Sequence, residues 1–381
     1  MKELTYSNLK QLKPNSYILI DTRDSGSILY GMIPGAIHIA EQELYANLVR
    51  YAKEFDPQKD VILYCQRGVR SINLAEAFEE QGRECCSLSG GYLAYLRDTV
   101  SSDKQSSEIQ PKAENSIRRK YHKQLFTPFA KACKQYQLIW EGDHIAVCIS
   151  GGKDSMLMAK LFQEIRTHRQ VNFDLTFLVM DPGYNADNRS LIEHNARSLG
   201  IPITIFESSI FDAVDTAEKN PCYLCARMRR GYLYRKAKEL GCNKIALGHH
   251  YDDVIETILM GMLHGGQVQT MMPKLHSTNF EGMELIRPMY LIREADICKW
   301  RDYNELHFLQ CACHFTETCT TCHEDGTTSS KRLETKKLIA ELKKTNPQVE
   351  ANIFNSVSNV NLSTVIAYKE DGVKHHFLDS Y

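Results

Sequence analysis

Three groups of residues combine chemical type with spacing in a way that could do chemistry. The first is Cys65, which opens the run Cys65-Gln-Arg67-Gly-Val-Arg70-Ser directly after the apolar segment 61–64. A cysteine between a strand end and a helix start meets backbone N–H groups and the positive end of the helix, both of which favour a thiolate. Arg67 and Arg70 add positive charge. Such a cradle suits a thiolate, a persulfide or a departing oxyanion, while a plain buried thiol is the ordinary alternative.

The second group is Ser150-Gly151-Gly152-Lys153-Asp154-Ser155, between the apolar run 145–149 and a helical stretch. Two glycines let the backbone approach a pyrophosphate, a helix N-terminus supplies donors, and Lys153 brings a positive charge. A Walker A loop needs four residues between its first glycine and its Gly-Lys-Ser/Thr, and that spacing is absent. Asp154 is a hard-oxygen donor suited to Mg²⁺. Gly248-His249-His250-Tyr251-Asp252-Asp253 follows another strand-like run, Lys244–Leu247. If both runs are parallel strands, the two motifs meet at one sheet edge, where ligands of open α/β sheets bind.

The third group is cysteine-rich. Cys222-Tyr-Leu-Cys225 precedes Arg227, Arg229 and Arg230, while Cys311, Cys313, Cys319 and Cys322 cluster further on, followed by His323. Two Cys-x-x-Cys pairs could hold structural zinc. Three thiolates leaving one iron open would instead suit a [4Fe–4S] cluster. Spacing alone leaves both open.

The elements that must position these groups alternate. Segments 17–21 and 61–64 read as strands, with a helix over 71–81. Residues 101–117 are Ser/Lys/Glu/Gln-rich and read as a linker. Beyond it, helical material over 117–137 precedes strands at 145–149, 175–180, 203–206 and 244–247, with helices at 155–166 and 329–344. Strands alternating with helices predict two parallel-sheet α/β domains, over 1–100 and 118–361, with a tail at 362–381.

Composition agrees with this reading. The chain has 381 residues, 43% of them hydrophobic and 24% charged, which predicts globular domains rather than disorder. No run approaches the length of a membrane span, and residues 1–14 are polar, so neither membrane insertion nor a secretory signal is expected. Thirteen cysteines in such a chain read as thiol or metal chemistry, and a cytoplasmic location follows as the default. The formal net charge is −1, but it divides as −3 over 1–110, +6 over 111–240 and −4 over 241–381. A basic middle could face an anionic partner.

Several motifs carry family resemblances. Ile20-Asp21-Thr22-Arg23, Gly31-Met32-Ile33-Pro34-Gly35-Ala36, the Cys65 loop and Leu88-Ser89-Gly90-Gly91-Tyr92 together resemble the rhodanese domain. That resemblance implies a sulfurtransferase with a persulfide on Cys65, Arg70 beside it, and Asp21 and Arg23 bracing the loop. Met32 stands where the family usually has His. A phosphatase of similar topology would want a longer loop after its cysteine.

Ser-Gly-Gly-x-Asp-Ser resembles the PP-loop ATP pyrophosphatases, which adenylate a carbonyl oxygen and release pyrophosphate. The resemblance implies ATP on Ser150–Ser155, with Asp154 near Mg²⁺ or the phosphates. By their place at the same sheet edge, Gly248, His249, Asp252 and Asp253 are expected to hold Mg·ATP or the adenylate, and Asp181 to border the adenosine pocket.

From Arg118 to about Asn361 the chain resembles the tRNA 2-thiocytidine synthetases, on Cys148–Ser155, Cys222–Tyr234, Ile245–Asp253, Gly265-Gly266, Pro273-Lys274 and Arg287-Pro288. The family implies a [4Fe–4S] cluster on Cys222, Cys225 and a third cysteine matching Cys311. This chain departs from the family just there, so Cys313 and Cys319 compete for the role, and Cys319 with Cys322 could be an accessory zinc pair or surface thiols.

The expected activity is adenylation of a pyrimidine C2 oxygen followed by displacement of AMP by sulfur. A tRNA cytidine is the first substrate, with a tRNA uridine or a small molecule as alternatives. An amide-forming synthetase, or a carrier of sulfur or metal without catalysis, would be the other classes. Arg227, Arg229 and Arg230 would guide the RNA backbone. A cysteine desulfurase or thiosulfate would load Cys65, and a homodimer is compatible with the reading.

Overall fold

The computed structural model describes residues 2–101, 106–208, 210, 221–308, 331–379 and 381. They form two compact units: Met1–His250 with Pro273–Cys319, and Tyr251–Met272 with Thr320–Tyr381.

The first unit holds two sheets. The N-terminal sheet comprises β1 (Lys2–Leu4), β2 (Tyr17–Asp21), β3 (Ile37–His38), β4 (Asp60–Tyr64) and β5 (Cys85–Leu88), in the order β1-β5-β4-β2-β3. All its pairs are parallel. β2 and β4 read as near-continuous apolar runs because both their faces are covered. Leu19, Ile20, Ile62, Leu63 and Tyr64 are all buried.

The second sheet comprises β6 (His144–Ile149), β7 (Asp174–Asp181), β8 (Ile203–Glu207), β9 (Lys244–Ala246), β10 (Lys274–His276) and β11 (Glu284–Ile286). Its order is β10-β11-β9-β6-β7-β8, parallel except where β10 runs antiparallel to β11. Strand order therefore reverses at β6, whose neighbours are β7 on one side and β9 on the other. That reversal opens the crevice in which doubly wound sheets bind ligands.

The stretch 101–117, read as a linker, is corrected in part: Ser106–Arg118 is a helix. Its polar composition hides an apolar stripe, Ile109, Ala113 and Ile117, at helical spacing. Ala113, Ser116 and Ile117 are buried, and Ser116 Oγ receives hydrogen bonds from Trp300 Nε1 and Asn304 Nδ2, each at 3.1 Å. Residues 106–117 are thus helical rather than a free coil.

The apolar core is continuous across the two sheets. Leu19, Ile62, Tyr64, Tyr92 and Tyr95 belong to the same cluster as Ile117, Phe129, Ile145, Met156, Trp300 and Phe308. At this seam His307 is half-buried, its ring edge-on to Tyr95 and hydrogen-bonded to the Tyr95 hydroxyl. The Asn195 amide donates to the His307 carbonyl at 2.8 Å, and Arg97 pairs with Asp187 at 2.6 Å.

The second unit contains the helices Tyr251–Gly265, Lys331–Thr345 and Val349–Ser356 and a hairpin of β12 (Ala367–Glu370) and β13 (Val373–His376). The tail reading of 362–381 overlooked this hairpin. Its turn is Asp371-Gly372, both at positive φ, as a type I′ turn requires. Among the described residues no helix is long and apolar enough to cross a membrane.

Burial, with the Arg301 guanidinium adding to it, lowers the His307 pKa from 6.5 to about 4, opposed in part by Glu305; Arg23 lowers it further. A depressed pKa means that folding favours the neutral ring. The stability this contributes is full above pH 6.5 and is lost as pH falls toward 4, because there the unfolded chain binds the extra proton. Denaturant unfolding of wild type should therefore lose stability over that interval, by up to about 1.4 kcal/mol per pH unit. His307→Gln should flatten the profile over the same interval; an unchanged slope would refute the assignment.

Candidate functional site

The Cys65 site begins with strand register. β2 pairs with β4 so that Asp21 lies opposite Tyr64, at the strand ends that launch the loop. Asp21 is fully buried, and its carboxylate accepts from Arg23 N–H at 3.0 Å, Arg23 Nη2 at 2.6 Å and the Tyr64 hydroxyl at 2.7 Å. Burial and then the Asp21 charge push the Tyr64 hydroxyl well up, so it stays a donor. Arg23 continues outward: Nη2 donates to Gly31 O at 2.6 Å, its guanidinium lies 3.7 Å from the Tyr92 ring centroid, and Nη1 reaches Gln66 Oε1 at 3.4 Å. The bracing role expected for Asp21 and Arg23 matches these contacts.

The loop itself runs from Cys65 to the helix Arg70–Glu80. Tyr92 N–H donates to Cys65 O at 2.9 Å and Leu93 N–H to Gln66 O at 3.1 Å, so the loop carbonyls are tied outward to the start of the next helix. Cys65 Sγ is buried and accepts from Gly68 N–H at 3.2 Å and from Ser71 Oγ at 3.5 Å. Arg70 is exposed, with Nη1 3.8 Å from Glu41; Arg67 is exposed too. Burial pushes the Cys85 and Cys148 thiols up to about 12, which keeps them protonated. Of these three, Cys65 alone sits in a loop of donors ahead of a helix.

The second loop leaves β6 at the point of sheet reversal. Gly151 has φ +84°, a conformation that favours glycine, and Gly152 caps the helix Lys153–Thr167. Ser155 Oγ closes the turn, accepting from Ser150 N–H at 3.2 Å and donating to Gly152 O at 3.0 Å. From β9, Gly248 packs so tightly against this turn that a Cβ would come within 3.3 Å of the Ser155 nitrogen. His250 Nε2 lies 4.0 Å from Asp154 Oδ1, and Arg287 Nε donates to His249 Nδ1 at 3.2 Å. Ser150–Ser155, Gly248, His249 and His250 therefore converge, as the shared sheet edge required.

Lys153, expected to bring a positive charge to a pyrophosphate, is held by carboxylates of the protein. It is 1% exposed, with Nζ 3.2 Å from Asp154 Oδ2 and 3.1 Å from Glu294 Oε1. Burial alone would lower its pKa, but the two carboxylates outweigh that and hold it above the ordinary lysine value. Glu294 opens the helix Glu294–Tyr303 and carried no signal in the sequence, because its relation to Lys153 exists only in the fold. Asp154 Oδ1 is buried and makes no hydrogen bond.

Asp181 ends β7, and its carboxylate accepts from Gly183 N–H at 2.9 Å and Tyr184 N–H at 2.7 Å and pairs with Arg189 at 3.1 Å. It shapes the rim loop. Asp252 and Asp253 lie in the first turn of Tyr251–Gly265, in the second unit, where Asp253 and Glu256 both pair with Arg332.

Cys222 and Cys225 occupy the helix Pro221–Glu239, three positions apart. Arg229 is half-buried and Arg230 exposed on that helix. The side chains of Cys222, Cys225 and Arg227, and the whole of Cys311, Cys313, Cys319 and Cys322, lie outside the described residues.

Known proteins match both halves of this arrangement. Residues 119–313 match the PP-loop domain and residues 5–98 the rhodanese-like domain. A tRNA-cytidine(32) 2-sulfurtransferase of Coxiella burnetii is 34% identical over 254 residues, 66% of this chain and 95% of the relative. One from Anaeromyxobacter dehalogenans is 32% identical over 241 residues, 62% of this chain and 79% of the relative. Among solved structures, the U34-tRNA thiolase NcsA of Methanococcus maripaludis with its [4Fe-4S] cluster is 23% identical, with a TM-score of 0.48, covering 61% of this chain and 76% of that one.

The brace under the Cys65 loop yields a prediction. Asp21→Asn leaves the buried Arg23 charge without its partner and should cost about 3–5 kcal/mol. Thermal melting would show it as a large downward shift; a melting temperature equal to wild type would refute the brace.

Proposed function

Because the chain belongs to the PP-loop family, in the branch of the tRNA-cytidine(32) 2-sulfurtransferases, we propose that it replaces the C2 oxygen of a tRNA cytidine with sulfur at the expense of ATP. The observation that carries this reading is the Ser150–Ser155 loop at the reversal point of the second sheet. There a glycine turn and a helix N-terminus offer backbone N–H donors to phosphates, beside Gly248 and His249. The buried Asp154 Oδ1, which makes no hydrogen bond, fits a hard cation, and Asp154 would help hold Mg²⁺ against the nucleotide phosphates. Lys153, a charged ammonium paired with Asp154 and Glu294, serves this reading by fixing the loop.

The chemistry then runs in two steps. The C2 oxygen attacks the α-phosphorus of ATP and pyrophosphate leaves, so that C2 carries AMP as a leaving group. A sulfur nucleophile adds to C2, and AMP departs with the original oxygen. The target base must be unpaired to enter such a crevice, as in an anticodon loop. Arg227, Arg229 and Arg230, which follow the Cys222–Cys225 pair on one helix, would guide the backbone. Held by Cys222, Cys225 and a third cysteine, with Cys311 first among the candidates, a [4Fe–4S] cluster would supply an open iron position for sulfur.

Cys65 would carry the sulfur before transfer. The Gly68 N–H and the Ser71 hydroxyl at its Sγ favour a negatively charged sulfur species there. Releasing the outer sulfur of a persulfide at the oxidation level of sulfide takes two electrons, which a thiol reductant must provide. A desulfurase or thiosulfate would load the persulfide again.

Nucleoside mass spectrometry on tRNA from cells with and without the gene tests the substrate. Loss of 2-thiocytidine, restored by the gene, is expected. Loss of a thiouridine would reassign the base, and an unchanged nucleoside profile would remove RNA from the proposal. Cys65→Ala should drop thiolation from a persulfide donor to the level seen with free sulfide, while calorimetric ATP binding stays at the wild-type value. Full thiolation from the persulfide donor in that variant would end the relay.

A further inference from the structure

The segment Ser27–Tyr30 of the N-terminal domain lies against the phosphate-loop lysine. The half-buried Tyr30 ring stands with its centroid 4.9 Å from Lys153 Nζ, the same ammonium that Asp154 and Glu294 hold at 3.2 and 3.1 Å. The neighbouring backbone is anchored on the second domain too. Cys298, one turn after Glu294 on the same helix, directs its thiol to Leu29 O at 3.9 Å, and Phe308 N–H reaches Tyr30 O at 3.5 Å. On the other side, Gly31 O is held by Arg23, the residue that braces the Cys65 loop and touches Gln66.

We infer that Tyr30 is a positioning residue for nucleotide binding, through which the N-terminal domain completes the ATP site of the second domain. The physical case is the burial of Lys153. A desolvated ammonium keeps its place only while its surroundings offset the lost water. Asp154 and Glu294 do so with charge, and the ring of Tyr30 with the negative face of its π-system. Replace the ring with an aliphatic side chain and water gains access to the ammonium. The Lys153–Asp154 pair then loosens, and Asp154 no longer stands ready at the loop. The contact path from Gln66 through Arg23, Gly31 and Tyr30 to Lys153 also makes the two candidate sites neighbours in one packed structure. Any coupling along it must act in both directions.

This inference rests on the proposed use of ATP, and its test separates the two. Mg·ATP is titrated calorimetrically into the full-length wild type, Tyr30→Phe and Tyr30→Leu, with the melting temperature of each recorded. Tyr30→Phe keeps the π-face and should bind within about twofold of wild type, whereas Tyr30→Leu should bind about threefold to tenfold more weakly at an unchanged melting temperature. Equal or tighter binding by Tyr30→Leu overturns the role of Tyr30 while leaving the ATP reading intact. Failure of the wild type itself to bind overturns the ATP reading, and this inference with it. Should Tyr30→Leu melt early, hydrogen exchange on the wild type decides. Saturating Mg·ATP should slow the amides of residues 28–31, and unchanged exchange there overturns the proposal.

Discussion

The buried ammonium of Lys153 sets terms for much of the molecule around it. An uncompensated charge at that depth would cost several kcal/mol, so the fold must bring partners to it from wherever they stand in the chain. Asp154 is adjacent in sequence, but Glu294 arrives on a helix that begins 141 residues away. Tyr30 comes from the N-terminal domain, on the short helical segment between β2 and β3. Satisfying one side chain thus fixes the helix Glu294–Tyr303 against the phosphate loop. It also draws the segment Ser27–Tyr30 onto the same spot.

The N-terminal sheet solves a similar problem with a different pair. Asp21 and Arg23 are both buried, and their charges are spent entirely on architecture: a salt bridge, the Tyr64 hydroxyl, the Gly31 carbonyl and a stack on Tyr92. Above this support, the Gly68 N–H and the Ser71 hydroxyl are directed at the Cys65 sulfur. Ion pairs with a buried member therefore stand under both of the loops to which the proposed function assigns anions. Asp21, Arg23, Lys153 and Glu294 act as scaffolding in these pairs, whereas Asp154 is also the proposed cation ligand.

Continuity of the apolar core alters how the two halves work together. A donor domain on a flexible tether gains from effective concentration, and its reach depends on tether length. Here the helix Ser106–Arg118, the Trp300–Ser116 hydrogen bond and the shared cluster from Leu19 to Phe308 make the N-terminal sheet part of one packed unit with the second. In the proposed reaction, a sulfur relay between the sites would run inside one packed unit rather than on a swinging arm.

Local chemistry made a large part of this legible in the amino-acid sequence. Strand β2 falls where the apolar run 17–21 lies, and β4, β6 and β7 within a residue or so of their runs, because buried parallel strands need uninterrupted hydrophobic side chains. The Cys65 loop and Ser150–Ser155 were visible because glycine, serine and a nucleophile or acid must follow one another in the chain to build an anion cradle. The short strands β10 and β11 were not visible, since Lys-Leu-His and Glu-Leu-Ile lack the apolar run Ile245-Ala-Leu247 that marked β9. Nor was the helix at 106–118, whose surface composition outweighs its thin apolar stripe. The pairing of Lys153 with Glu294 and Tyr30, the depressed His307 and the fusion of two sheets around one core belong to tertiary structure alone. Motif residues are contiguous because backbone geometry is local. The partners of a buried charge can come from anywhere, and only the folded packing decides which of many carboxylates and rings ends beside it.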